Sequence, residues 1–122
     1  MTTPINAFRC SIEISPRDGS RIQRVIVVAG SENIYSVLPS AVLEMLRVET
    51  EWESRFTLPN GGWEMLPIAE VRMRINSQEP TTICVYGKSD GEPILGRHTL
   101  AAFGLAADHE AETLVQADMF LS

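Results

Sequence analysis

The 122-residue chain is 44% apolar and 21% charged, with 8 Gly and 7 Pro, which leaves room for one domain, residues 1–122, around a modest core. A mean hydropathy of +0.01 excludes wholesale disorder, and the longest apolar run, Val25-Ile26-Val27-Val28-Ala29, is too short to span a bilayer. Against 16 acidic residues stand 10 basic ones, net −6, with no Lys/Arg cluster to neutralise a run of phosphates, so neither nucleic acid nor an anionic membrane is expected as a partner. The amino end shows no basic leader followed by an apolar stretch, which makes the cytoplasm the default expectation.

In chain order, residues 8–14 alternate apolar and polar, the period of a half-buried strand. Pro16-Arg17-Asp18-Gly19 is turn chemistry, and a second strand then runs from about Ile22 into Val25-Ile26-Val27-Val28, continuous enough to be buried on both faces. After a loop over 29–34, Tyr35-Ser36-Val37-Leu38 reads as a short strand. Val42, Met45 and Leu46 then recur at i, i+3 and i+4, predicting a short helix with Ser40 as N-cap that ends near Arg47. Trp52, Ser54, Phe56 and Leu58 alternate with Glu53, Arg55 and Thr57. Pro59-Asn60-Gly61-Gly62 and a second alternating run through Trp63, Met65, Ala69, Val71, Met73 and Ile75 complete a hairpin, in which Pro67 should mark an edge or a bend and both tryptophans are expected to pack on the hairpin's apolar faces.

A later block repeats an earlier one. Thr82-Ile83-Cys84-Val85-Tyr86, a loop, Ile94-Leu95, Gly96 and a helix with Leu100 and Phe103 closing at Gly104 parallel the order strand, loop, Val37-Leu38, Pro39, helix, which suggests two pseudo-symmetric halves. The tail reads as short strands broken at Asp108-His109-Glu110, and Leu114, Val115, Met119, Phe120 and Leu121 are too apolar to be left in water without a partner surface. Cys10 and Cys84 lie inside apolar β-like stretches, too far apart for a metal knuckle, and read as reduced core thiols, with a disulfide as the alternative.

Taken together, Tyr35-Ser36-Val37-Leu38-Pro39 before a helix, the hairpin over 56–75 with its Gly-rich tip, Ile94-Leu95-Gly96-Arg97, Leu100, Gly104-Leu105 and Leu114-Val115 resemble the retropepsin-like aspartic protease family, especially its small bacterial members, over nearly the whole chain. That resemblance implies a mostly β half-pepsin, a closed β-barrel or sandwich with one or two short helices, a flap-like hairpin and a homodimer. Counting back from Pro39, the family's catalytic Asp-Thr/Ser-Gly triplet falls on Gly30-Ser31-Glu32, so the carboxylate that would share a proton with its symmetry mate is absent, and no Asp occurs between Asp18 and Asp90. The resemblance further places Asn60, Gly61 and Gly62 at a flap tip over a bound peptide, Ile94, Leu95 and Gly96 beside the binding cleft, and Arg97 with Leu114, Val115, Met119, Phe120 and Leu121 at the subunit interface. The family's loop Asp that pairs with the Arg is replaced here by Ile34.

His98 and His109 show no metal-ligand spacing, Gly30-Ser31-Glu32-Asn33 is not a nucleophile elbow, and no phosphate-cradling loop is present, so neither metal nor cofactor is expected. Two functions stand: a catalytically inactive homodimeric scaffold that grips an extended peptide or protein segment by strand addition, or an atypical aspartic-type peptidase using Glu32 from both subunits at the dimer axis.

Overall fold

The computed structural model describes residues 7–118. β1 (Phe8–Ser15) and β2 (Gln23–Ala29) pair antiparallel in unbroken register from Phe8↔Ala29 to Ile14↔Gln23. Their turn is closed by the Gly19 N–H donating to the Pro16 carbonyl at 2.9 Å, with Gly19 at φ 71°, a left-handed conformation that a residue without Cβ adopts freely. On its other side β1 pairs with β5 (Trp63–Arg74); β5 pairs with β6 (Thr81–Gly87), and β6 runs parallel to β3 (Val37–Pro39). The order is β2-β1-β5-β6-β3, with β4 (Thr50–Thr57) attached to β5 alone.

One short segment, Pro93-Ile94-Leu95, closes this sheet into a barrel. Ile94 exchanges hydrogen bonds with Val37 at 2.8 and 2.9 Å, while Val28 donates to the Pro93 carbonyl and accepts from the Leu95 N–H, both at 2.9 Å. β3 and β2, the two ends of the sheet, are thereby joined. The exchange is reciprocal: the short apolar pair of the first half, on β3, docks on the strand of the second half, β6, and Ile94-Leu95 of the second half docks on β2 of the first. The repeat legible in the sequence is thus realised as two interlocked halves.

Helix α1 (Ser40–Met45) follows β3 directly, and α2 (Arg97–Phe103) follows Gly96. α1 is shorter than expected, and its N-cap is Pro39 rather than Ser40, whose hydroxyl makes no capping bond. Arg47, at φ 59°, reverses the chain, and the Val48 N–H returns to the Leu43 carbonyl at 2.9 Å, the wrap-back that satisfies a last-turn acceptor. α2 ends where Gly104 takes φ 68°, and β7 (Leu105–Asp108) and β8 (Thr113–Gln116) form a separate two-stranded sheet. Leu114 packs against the core of its own chain, so part of the apolar tail needs no second subunit. Met119, Phe120 and Leu121 lie outside the described residues.

Two expectations are corrected by the geometry. β2 is not buried on both faces: Val25, Val27 and Ala29 are buried, but Ile26 is 61% exposed, because no element among the described residues covers the outer face of the β1–β2 pair. The two tryptophans are not core residues, at 46% exposure for Trp52 and 57% for Trp63. They lie on opposite faces of the hairpin. In the register Trp52↔Ile68 and Thr57↔Trp63, Trp52 lies with Phe56 and Leu66 on one side, and Trp63 lies with Arg55 and Met65 on the other. The hairpin projects beyond the barrel, so alternation there cannot bury both faces. Pro67 stands one residue past the last β5–β6 partner, Ile68↔Val85, the edge placement that a residue without an N–H requires.

Ile14, Leu38, Leu43, Met73 and Leu95 fill the centre of the barrel. Both thiols are free, Cys84 buried and Cys10 half-buried. Burial pushes the Cys84 thiol up to about 12 and raises Cys10 as well, so both are poor nucleophiles in the fold. No helix among the described residues is long and apolar enough to cross a membrane.

Candidate functional site

The segment joining β2 to β3, residues 30–36, has two ends of different character. Its carboxyl end is bolted to α2. The Arg97 N–H donates to the Asn33 carbonyl at 2.9 Å and the His98 N–H to the Ile34 carbonyl at 2.8 Å. The Ser36 hydroxyl is buried; it shares a 2.6 Å hydrogen bond with Thr99 Oγ1 and accepts the Gly96 N–H at 2.9 Å. Gly96 is required there: a Cβ on it would lie 2.5 Å from both the Ile34 oxygen and the Ser36 nitrogen. The Leu95 side chain, 1% exposed, points into the core. Ile94, Leu95 and Gly96 therefore close the barrel and clamp this loop, and Leu95 and Gly96 offer no surface to a ligand.

At the amino end stands the triplet Gly30-Ser31-Glu32. Gly30 adopts φ 78°, and a Cβ built on it would lie 2.7 Å from His109 Cε1, 3.0 Å from His109 Nδ1 and 3.3 Å from Phe8 Cε1. The imidazole comes from the β7–β8 turn and packs edge-on to Phe8 with ring centroids 6.3 Å apart. An imidazole thus occupies the space into which a side chain at position 30 would begin. Ser31 Oγ accepts the Asn33 N–H at 3.4 Å, a local turn contact, and Glu32 is exposed. Among the described residues no cluster of three His, Cys, Asp or Glu side chains could hold a metal.

Below the β4–β5 hairpin lies a groove of about 510 Å³, walled by Val37, Phe56, Leu66, Val85 and Tyr86, with Lys88 at its rim. The hairpin tip is a tight reversal: Gly61 at φ 87° donates to the Leu58 carbonyl at 2.9 Å, and Asn60 Oδ1 accepts the Gly62 N–H at 2.8 Å. Tyr35 links the triplet loop to the hairpin, edge-on to Phe56 at 5.9 Å and tilted against His98 at 6.0 Å. On the outer face the Arg55 guanidinium lies 4.2 Å from the Trp63 ring centroid. The groove is floored by Tyr86, whose hydroxyl donates to the Val48 carbonyl at 2.5 Å and whose pKa is raised, first by burial and then by Cys84 and Glu44.

Arg97 is exposed at the start of α2 and has no ion pair among the described residues. Leu114 is half-buried and Val115 is 39% exposed on β8. Sequence reasoning treated His109 as a turn residue and passed over Tyr35, Phe56 and His98 as a cluster. Only the closed barrel, which brings residue 109 to residue 30 and residue 98 to residue 35, reveals them; no local spacing signals contacts so distant in sequence.

No family model and no curated protein matches the chain. Among solved structures, the EIAV protease complexed with the inhibitor HBY-793 aligns over 99% of this chain and 100% of its own, with a TM-score of 0.64 and 16% identity. The chain has the retropepsin fold.

Proposed function

We propose that this chain is a non-catalytic retropepsin-like domain that acts as a homodimer and grips an extended peptide or protein segment. Gly30 carries the first part of the reading. A pepsin-type mechanism needs two close carboxylates, one ionised and one protonated, to activate water and protonate the scissile carbonyl. Position 30 supplies no carboxylate, its backbone is in a glycine conformation, and the space beside it is filled by His109. Glu32 is a two-residue offset from that place and faces solvent.

Binding is supported by what remains. The apolar groove under the hairpin and the outer edge of β4, which among the described residues pairs only with β5, suit an extended chain that adds main-chain hydrogen bonds and inserts alternate side chains. Asn60, Gly61 and Gly62 form the tip that would close over it. Self-association is supported by the two-stranded β7–β8 sheet, which is too small to stand alone and presents Val115 to solvent. Arg97 would lie beside such an interface without the acid that braces it in the family, so apolar burial would have to hold the pair.

The purified chain should release no fragments from unfolded protein or peptide libraries from acid to neutral pH, and light scattering should report a dimer at micromolar concentration that Val115→Arg weakens. Pepstatin-sensitive cleavage abolished by Glu32→Ala would replace this reading with the peptidase one. A monomer at that concentration would remove the shared cleft.

A further inference from the structure

The geometry points to a second binding site, for an aliphatic carboxylate, in the cavity between the Gly30 loop, α2 and the β7–β8 hairpin. This cavity, about 370 Å³, is distinct from the groove under the flap-like hairpin and requires neither peptide nor cleft. Its walls are Leu100, Leu105 and four alanines, and its polar groups are Ser31, Arg97 and His109. That is the pattern of a small-molecule site: a largely apolar hollow of a few hundred Å³ with a few polar groups converging on it.

Charge decides the ligand class. The chain carries a net charge of −6, yet none of the described residues lining this cavity is acidic. Four acids adjoin lining residues in sequence without lining the cavity themselves: Glu32 after Ser31, Asp108 and Glu110 on either side of His109, and Asp118 after Ala117; of these, the Asp108 carboxylate accepts the Ala111 N–H at 3.1 Å. Arg97 has no ion pair among the described residues, so its guanidinium can present its fork of donors to an incoming carboxylate in the two-bond geometry that Arg favours. The alanines make the volume: a larger side chain at any of them would fill the space an alkyl tail needs. A cation would meet Arg97 and be repelled, and an uncharged aliphatic would bury its tail without satisfying the guanidinium.

The test uses the full chain titrated with octanoate, octanol and octylamine, followed by calorimetry and by the NMR resonances of Leu105 and Ala106. Octanoate should bind best, octanol at least tenfold more weakly, and octylamine not at all. Arg97→Met should cost octanoate roughly tenfold, the worth of one charge-assisted pair, and leave octanol unchanged. Ala101→Phe, on the exposed side of α2, should block both. Equal affinity for octanoate and octanol, or octanoate binding unaltered by Arg97→Met in a folded variant, would overturn the proposal. So would octanoate affinity that rises on dilution of the protein, because the cavity would then be a subunit contact rather than a ligand site.

Discussion

The two ends of the loop over residues 30–36 have gone separate ways. At the carboxyl end, Ser36, Thr99, Gly96 and two main-chain donors of α2 form a buried, fully bonded clamp. At the amino end, position 30 is a glycine at positive φ with another element's imidazole beside it. The clamp fixes the loop to α2 beside the Ile94 closure, and the triplet takes part in neither. The residues that hold this architecture together are therefore distinct from those of the triplet.

The most damaging single change is at Gly96. An alanine there would drive its Cβ against main-chain atoms of 34–36, which cannot swing aside as a side chain can. Gly96→Ala should cost about 3 kcal/mol or more, enough to unfold a marginal domain, and urea denaturation with circular dichroism would read it. A variant that folded with near wild-type stability would mean that the clamp is dispensable.

Next comes the hydroxyl pair. Ser36→Ala orphans the Gly96 N–H and removes the partner of Thr99 Oγ1, both inside the core. Leaving such groups unpaired costs about 1–3 kcal/mol. Because Ser36 and Thr99 share one bond, Ser36→Ala with Thr99→Val should cost less than the two single changes added together. Strict additivity in that double-mutant cycle would show that the 2.6 Å contact contributes no coupling.

How much of this was legible in the sequence depends on the range of the interaction. The β1–β2 hairpin, the Asn60-Gly61 turn, the α2 stop at Gly104 and the repeat of strand, loop, apolar pair and helix all rest on spacing within a few residues, and each occurs in the structure. The absence of Asp at position 30 was equally plain. Burial was misread where alternation met an uncovered face, at Ile26, Trp52 and Trp63, because periodicity gives a side chain's direction and not what lies above it. His109 against Gly30, and Tyr35 between Phe56 and His98, were invisible, since barrel closure and not local pattern brings them together.

The smallest expected effect is at the other end of the loop, and it sharpens the contrast most. Gly30→Ala must adopt a left-handed conformation, worth about 1–2 kcal/mol for a residue with a Cβ, and must also displace His109. Gly61, at φ 87° with no atom within 4 Å of an added Cβ, supplies the reference: Gly61→Ala pays the conformational part alone. The excess cost of Gly30→Ala over Gly61→Ala should be a fraction of a kcal/mol, since the two nearest obstructing atoms belong to His109 at an exposed turn, and His109→Ala should remove most of it, leaving the 3.3 Å approach to Phe8 Cε1. Restoring the triplet by Gly30→Asp with Glu32→Gly should then give a folded protein that still cleaves nothing. The new carboxylate would start from a backbone set for glycine and beside an imidazole, not in the geometry that shares a proton with its mate. Turnover by that double variant, inhibited by pepstatin, would show that the amino end of the loop is as well preserved as the clamp and that the missing carboxylate is all that separates this chain from catalysis.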